Sequence, residues 1–593
     1  MSDKNQFLHE ILKSKVALYS NRVAIKEAGD TPRSVTYSEL DKFSDQVASG
    51  FRLRGIENRS AVSVIIDSNI NFVITILAIL KINAIYIPID ISSPTERVRS
   101  IVSKSGSSFI ISDTCSEQKL LDINLENISI INIKELDYEN ISVDSIQKLK
   151  NSNSTSNIIS NISYTSGTTG QPKGVIISHH GMINHVNWRI NFYEYTPDDI
   201  TLIVVSNTMD GFAAILFTSL FSGGTLVLLP TRYRRNFIHI NTAIEQYKIT
   251  NFCIVPSMLQ GLMNDTMNLS SVRFITVAGE RTDPSIIRNL KKIKPDINII
   301  GEYGAAESTC TTSANKNFNE DTIDHIGATI DNIDVYLLDE SLNETDQGEI
   351  CISGAGISLG YFQDEKLTSQ KFINGSKLGK NIVYRTGDLG KKLPDGNIKY
   401  IGRVDRQIKL RGIRIEPEGI EKHLLSYPEV KSAVIKEIKG KHGNSIYAYL
   451  IPQSPDVEVD IEKLKKFLSE HMPDYCIPSF FVLMNKFPLT VNGKIDIKNL
   501  PEVENKYKNL TNNQVESPTQ EAIISMFCNF LDNVDKKIVS IKDDFFKLGG
   551  NSLSAAMLLA ALKKEFGVDL AFDKFKDIST VEKLSNYLID FKY

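Results

Sequence analysis

The stretch YTSGTTGQPKG, Tyr164 to Gly174, packs Thr165, Ser166, Thr168 and Thr169 around Gly167 and Gly170 and follows them with Lys173. Hydroxyls and exposed amides suit phosphate oxygens, glycines let the backbone approach closely, and the lysine adds a cation. It is not a Walker A loop, because Lys173 has proline before it and glycine after it. Near the other end of the chain, LGGNSLSAAMLLAAL (Leu548 to Leu562) sets Ser552 beside two glycines at the head of an apolar, helix-like run. Taken alone, Ser552 reads as a helix cap, and its hydroxyl becomes a point of attachment only if the rest of the chain needs one.

Elements that position these groups follow from patterning. Up to about residue 400, apolar runs such as AVSVII, AIYIPI, SFIIS, TLIVVS, GTLVLLP, NFCIVP, VRFITVAG and INIIGEYG alternate with helix-like stretches. Continuous apolar strands separated by amphipathic helices imply parallel sheets covered on both faces. From Gly402 the texture changes to short charged strands with a helix following, up to Pro501. A polar segment, EVENKYKNLTNNQVE, comes next, and KNSNSTSN (150–157) reads as a second exposed loop. The last 77 residues read as wholly helical. Ser517-Pro518-Thr519-Gln520 opens a first helix with Ile523, Ile524, Phe527 and Leu531 on one face. A second runs from Ser552 to Gly567 and buries Leu558, Leu559, Leu562 and Phe566, and a third opens with a capping box from Ser579 to Glu582.

Bulk properties exclude several classes. At 593 residues several cores are expected, and 67 basic against 71 acidic residues give no electrostatic footprint for nucleic acid or an anionic membrane. The N-terminus shows no signal-peptide pattern, and the most apolar stretch, Phe72 to Ile89, is broken by Lys81 and Asn83, so a buried helix followed by a strand is expected. The six cysteines contain no CxxC pair, which favours reduced core thiols in a cytoplasmic protein.

The ordered motifs LAILKINAIYIPID, YTSGTTGQPKG, GEYGAAES, GEICISGAGISLGYF, YRTGDLGKKLPDGNIKYIGRVDRQIKLRGIRIEPEGIE and LTVNGKID resemble the adenylate-forming superfamily, specifically the adenylation domains of nonribosomal peptide synthetases. The resemblance implies a large α/β N-terminal lobe (parallel-sheet layers plus a small β-barrel) over residues 1–403 and a small α+β lobe over 404–501. A linker over 502–516 and an all-α four-helix carrier bundle over 517–593 follow. It implies ATP and Mg²⁺, with Glu307 as the metal ligand, since a hard cation bridging phosphates wants carboxylate oxygen. Tyr303 and Ala278-Gly279-Glu280 resemble walls of an adenine slot. Asp388 resembles the aspartate that grips the ribose hydroxyls, Arg403 a nucleotide contact and Asp405 the hinge between lobes. Lys494 resembles the catalytic lysine, which stabilises charge developing as a carboxylate attacks the α-phosphorus. One departure stands out: the proline and threonine usual before the glutamate are Ala305 and Ala306.

The same resemblance points to the substrate. Asp210 aligns with the aspartate that holds an α-ammonium, for which an acyl-CoA or aryl-acid ligase has no use. Asp210, Gly211, Ala214, Ile254, Thr276, Ala278, Glu302, Cys310, Thr311 and Lys494 resemble a tyrosine-type pocket, differing from it at Ala214, Cys310 and Thr311. Gly211, Ala214 and Ala278 leave room for a ring, Ile254 gives an apolar wall, and Glu302 can accept a phenol hydrogen bond. Two alternatives stay open: Glu302 pairs with a basic side chain such as that of arginine or ornithine, or it points away and bonds backbone.

An adenylating enzyme needs a thiol acceptor, and DDFFKLGGNSLSAAMLL resembles the carrier motif whose serine, here Ser552, receives covalent 4′-phosphopantetheine. The helix N-terminus would favour the attached phosphodiester, and Asn551 departs from the usual histidine or aspartate. Thus an amino acid is expected to become an aminoacyl-adenylate and then a thioester on the chain's own arm. A phosphopantetheinyl transferase and a downstream synthetase or tailoring enzyme are the partners, with a small MbtH-like accessory protein as a further one, and a monomer is expected. A catalytically silent nucleotide-binding scaffold is the competing class. GISLG (356–360) matches a hydrolase elbow without a triad around it, and HHGMIN (179–184) lacks the aspartate of a condensation site.

Overall fold

The structure is a computed structural model that describes residues 6–114, 116, 120, 123, 127–136, 158–167, 170–263, 267–440, 444–490, 494–501, 517–531, 534 and 539–590. The expected loop at 150–157, the linker at 502–516, and Thr168 and Thr169 of the phosphate loop lie outside the described residues.

Every apolar run named above forms a strand. One sheet has six strands in the order Ser129–Asn132, Phe109–Ser112, Ala61–Ile65, Ile85–Pro88, Ile159–Thr165 and Lys173–Ser178. All its pairs are parallel except the last. A second sheet has nine strands. Its parallel centre runs Asn298–Tyr303, Phe274–Ala278, Asn251–Ile254, Ile200–Ile203, Thr225–Leu228 and Val23–Glu27. One core cluster joins the sheets, drawing Val62, Val64 and Ile177 from one and Ile25, Ile203 and Leu226 from the other.

The helix Ile70–Lys81 runs through this core with every residue buried, which is why its sequence is apolar all round. Asn69 caps its start by accepting from the Phe72 amide at 3.1 Å. Lys81, the residue that interrupts the apolar stretch, is held by Asp41 and Asp45 at 2.6 Å each. A buried cation requires such partners. Among the described residues no helix is long and apolar enough to cross a membrane.

The small barrel of the expectation takes the form of a five-stranded antiparallel sheet centred on Ile382–Lys392, which pairs with Gln347–Gly354, Phe372–Asn374 and Ile398–Arg403. Beyond it, the hairpin Ile408–Leu410/Ile413–Ile415 leads into the helix Pro417–Leu425 and a three-stranded sheet, Val430–Ile438, Ser445–Pro452 and Phe480–Leu483.

The C-terminal helices are Pro518–Phe530, Ser552–Phe566, Phe572–Asp577 and Val581–Asp590, sharing a core of Ile523, Phe527, Leu558, Leu562, Phe575 and Leu584. Two caps differ from expectation. Ser552 does not cap its helix: Asn551 does, accepting from the amides of Leu553 at 2.9 Å and Ser554 at 3.1 Å. The last helix is not opened by a box from Ser579 to Glu582. The Ser579 hydroxyl is drawn to Asp544, and Thr580 accepts from the Lys583 amide at 3.3 Å instead. In both cases a neighbouring polar residue has the better geometry for the free amides.

Candidate active site

The phosphate loop lies between the strands Ile159–Thr165 and Lys173–Ser178, whose antiparallel register sets Thr165 opposite Lys173. Lys173 projects to Glu307, Nζ to Oε1 at 3.3 Å, and stands 4.9 Å from the centroid of the Tyr361 ring. Glu307 sits in the short turn Ala306–Ser308 that follows the strand Asn298–Tyr303, and its side chain is fully buried. Its Oε1 also accepts from the Tyr361 hydroxyl at 2.7 Å and from Arg414 at 2.9 Å, while Oε2 has no partner among the described residues. Burial opposes the charge on Glu307, yet Arg414, Lys173 and the Tyr361 hydroxyl hold its carboxyl well below the usual carboxylate range. Burial, with the like charge of Arg414, pushes the Lys173 ammonium down to about 8 against the pull of Glu307. Oε1 already faces Lys173 and Arg414, so among the described residues the buried, unpartnered Oε2 is the one oxygen of Glu307 left as a hard donor for a divalent cation.

The loop is also gripped from the second lobe. The Ser166 hydroxyl donates to the Arg414 carbonyl, and Gly170, at φ +77°, packs so closely that a Cβ there would lie 3.2 Å from the Gly419 carbonyl oxygen and from His423 Nε2. At the other end of the site, Asp388 accepts from the Tyr303 hydroxyl at 2.7 Å and from Arg403. Arg403 in turn forks onto both oxygens of Asp405, at 2.6 and 2.9 Å. Burial would raise the Asp405 carboxyl, but the bonds from Arg403 lower it. Gly279, at φ +85°, packs against Gly412, and Glu280 accepts from the Ser257 amide at 3.2 Å.

The residues expected to line a substrate pocket lie at the carboxyl ends of adjacent parallel strands, the usual place for a ligand in such sheets. Ile254, Thr276 and Ala278, and Glu302 come from three neighbouring strands, with Ala278 opposite Glu302. Asp210 begins the helix Asp210–Ser222, with Ala214 on its next turn, and a methyl placed on Gly211 would lie 3.9 Å from Cys310 Sγ. Asp210 accepts from the Gly211 amide at 2.8 Å, and no basic side chain among the described residues pairs with it. Burial pushes its carboxyl up.

Glu302 does something the sequence did not disclose. Its Oε1 accepts from Arg189 and from the Tyr193 hydroxyl, and its Oε2 accepts from Thr311 at 2.9 Å. Thr276 extends the network to the Tyr193 hydroxyl at 3.3 Å. Arg189 stacks 4.6 Å from the Tyr193 ring centroid, and its Nε is buried with no hydrogen-bond partner among the described residues. Burial works against ionisation of Glu302, and Arg189 and Tyr193 overcome it, keeping the carboxyl low. The alternative in which Glu302 points away and bonds backbone does not hold: its partners are side chains.

Lys494 is not brought to these groups. It is exposed in a turn of the second lobe, with its amide bonded to the Thr490 hydroxyl at 3.2 Å. Ser552 is brought close: its hydroxyl accepts from Arg411 at 3.3 Å, at the tip of the hairpin whose next residue, Gly412, packs on Val255 and Gly279. The carrier helix seats Leu553 and Ala556 in the core cluster of Phe237 and Leu259, with Met557 packed against it. The decoys are structural. Ser358 is buried with its amide on the Glu307 carbonyl at 2.9 Å, and His179 accepts from the Leu8 amide at 3.2 Å.

Arg189, Tyr193, Tyr361, Arg411 and Arg414 were not singled out from the sequence. A signal existed for Arg189, which lies three residues after Val186 and four before Tyr193 on the buried stripe of the helix His179–Tyr193. A charge on an apolar stripe demands a buried partner.

Two sheet-built lobes closing on a phosphate loop, with a helical bundle presenting a serine at their junction, define an adenylate-forming ligase joined to its own carrier. The family model of AMP-binding enzymes matches residues 12–362, that of the AMP-binding enzyme C-terminal domain residues 419–494, and that of the phosphopantetheine attachment site residues 521–588. The chain belongs to the AMP-binding enzyme family. Gramicidin S synthase 2 of Brevibacillus brevis is 31% identical over 595 residues, covering 99% of this chain and 13% of the relative. Gramicidin S synthase 1 of the same organism is 32% identical over 595 residues, covering 99% and 52%. The chain thus spans about half or less of the length of these relatives. A holo nonribosomal peptide synthetase protein containing adenylation and PCP domains, bound to a vinylsulfonamide inhibitor, superposes with a TM-score of 0.81 at 21% identity over 99% of this chain and 98% of that one. A four-domain nonribosomal peptide synthetase bound to AMP and glycine gives 0.62 at 26% identity, over 99% and 43%. The cofactors are ATP, Mg²⁺ and covalent 4′-phosphopantetheine.

Proposed function

We propose that the chain activates an amino acid with ATP as its aminoacyl-adenylate, releasing pyrophosphate, and loads it on the arm of its own Ser552. The observation that carries this is Asp210, a carboxylate enclosed in the pocket that no cation among the described residues pairs with. Such a group is costly unless a ligand brings the charge, and an α-ammonium does. Glu307 would hold Mg²⁺ through its unpaired Oε2, and the metal, when bound, neutralises phosphate charge. Lys173 and the amides around Gly167 and Gly170 would hold the phosphates, Asp388 the ribose and Tyr303 the adenine face. Lys494 would serve adenylation in a second orientation of the smaller lobe, reached by turning about Asp405. The present orientation, with Arg414 on Glu307 and Ser552 at Arg411, suits loading. A phosphopantetheinyl transferase and a downstream synthetase are the partners this reading implies.

For the amino acid, tyrosine or a close aromatic relative is the best fit. Arg189 already neutralises Glu302, so a cationic side chain would meet a balanced pair rather than an open carboxylate, which argues against arginine or ornithine. A phenol both donates and accepts. It complements the remaining lone pair of Glu302 and the unpartnered Arg189 Nε–H. Sites that hydrogen-bond a substrate hydroxyl reject the deoxy analogue strongly.

Amino-acid-dependent exchange of pyrophosphate into ATP tests both levels. Tyrosine should give the highest exchange, with phenylalanine well below it. Preference for arginine or ornithine would overturn the aromatic reading, and no exchange with any proteinogenic amino acid would overturn the enzymatic one.

A further inference from the structure

The carrier serine meets the first lobe and the hairpin at a place with an unbalanced positive charge. Asn551 takes the amides of Leu553 and Ser554, so two of the leading donors of the helix beneath Ser552 are already satisfied. An anion attached to the Ser552 oxygen must therefore find its main partner elsewhere. Arg411 is that neighbour, Nη1 to Oγ at 3.3 Å, and among the described residues no carboxylate pairs with its guanidinium. The acid whose field reaches it, Glu280, is not in ion-pair contact, and the other charge acting on it is the like charge of Arg235. Arg235 is itself exposed, and the like charge of Arg234 acts on it against the pull of Asp90 and Asp474.

The backbone adds an independent argument. Arg411 and Gly412 form the two-residue loop of the hairpin Ile408–Leu410/Ile413–Ile415, with φ of +52° and +72°. Loops of that kind favour asparagine, aspartate or glycine at the first position, and a bulky residue there is strained. An arginine held at that cost, beside the modification site and without an acidic partner, is placed for an anion.

We propose that Arg411, assisted by Arg235, seats the phosphodiester of the arm on Ser552 while the carrier is docked for loading. The inference rests on the reading of Ser552 as the attachment site. Guanidinium is the suited group, because its fork matches two phosphate oxygens and stays charged. Gly412, the next residue, packs against Val255 and Gly279, beside the strand ends that form the pocket, so an anchored phosphodiester leaves the distal arm directed inward.

The test uses the full chain, loaded by a phosphopantetheinyl transferase and checked by mass spectrometry for one added arm. The ³¹P resonance of the diester in the wild-type holo chain at low salt should move when Arg411 is replaced by alanine, toward its position in wild type at high salt. Arg411→Lys should move it part of the way. Arg235→Ala should shift it less, in the same direction. In single-turnover loading of the arm, Arg411→Ala should lose about 10-fold, the size of one charge-assisted hydrogen bond, and most of the salt dependence. A resonance unchanged across Arg411→Lys, Arg411→Ala and Arg235→Ala would overturn the seat while leaving Ser552 as the attachment site. No added arm on the wild-type chain would overturn both.

Discussion

Two buried arginine–glutamate pairs stand on either side of the active site, and they are built differently. Arg189 and Glu302 both belong to the first lobe, and both oxygens of the glutamate accept from side chains, those of Arg189, Tyr193 and Thr311. Arg414 and Glu307 span the two lobes, and the glutamate keeps one oxygen without a partner. Within one rigid body, a buried pair can be satisfied once and kept. Across a joint, the same pair would be released if the smaller lobe turns as proposed, and the spare oxygen of Glu307 would then be the one left for a metal. The first pair lies within one lobe at the end of the strand Asn298–Tyr303, and the second joins the two lobes.

The largest effect should come from the pair with work left to do. Glu307→Gln removes the hard donor and leaves Arg414 and Lys173 facing each other, and we expect pyrophosphate exchange to fall by about 10²–10³-fold. Wild-type-like exchange would break the distinction between the two glutamates. Arg189→Met should instead act on folding, because it leaves Glu302 charged and buried without its cation. One partner removed from such a pair costs about 3–5 kcal/mol, readable as a fall in apparent Tm. Adding Glu302→Gln to Arg189→Met should restore much of it, and failure of that rescue would mean the pair is not a self-contained unit.

What could be read from the sequence follows the same division. Apolar strands, the all-buried helix at Ile70–Lys81 and the phosphate loop were legible because each rests on local composition or on a contiguous motif. Asp210, Asp388 and Glu307 were legible through their motifs, and the structure brings them to one region with the phosphate loop between the lobes. Arg414 and Arg411 were not. Their roles depend on how a hairpin more than 100 residues downstream of Glu307 meets the first lobe, which no local pattern encodes. The position of Lys494 was illegible for the same reason, since a sequence lists residues without stating which orientation of a hinged lobe is present. Ser552 and Asn551 show a subtler limit: both are good capping types, and only the backbone decides between neighbours.

Lys173 sharpens the comparison through pH. Its ammonium, pushed down to about 8 by burial and Arg414, sits well below its ordinary 10.5. Between those values the unfolded chain binds the proton and the native chain has lost it, so stability should rise with pH across that window. The apparent Tm of wild type minus that of Lys173→Met should therefore increase from pH 8 toward 10.5. A flat difference would mean that Lys173 is not confined between Glu307 and Arg414 in solution.

The smallest effect belongs to a contact with no net charge, and it sets the lower bound against which both pairs are judged. Asn551 satisfies the amides of Leu553 and Ser554, whereas Ser552 contributes no cap. Asn551→Ala should cost the carrier helices about 1 kcal/mol, the usual price of a lost N-cap. Ser552→Ala should leave their stability within about 0.5 kcal/mol, as a substitution that touches no buried network does. Unfolding followed by probes confined to the carrier, with urea as denaturant, separates the two variants. Equal losses would return the cap to Ser552 and leave its hydroxyl divided between holding the helix and bearing the arm. A loss at Asn551 alone means that the hydroxyl is free for attachment because the residue before it has taken over the structural duty.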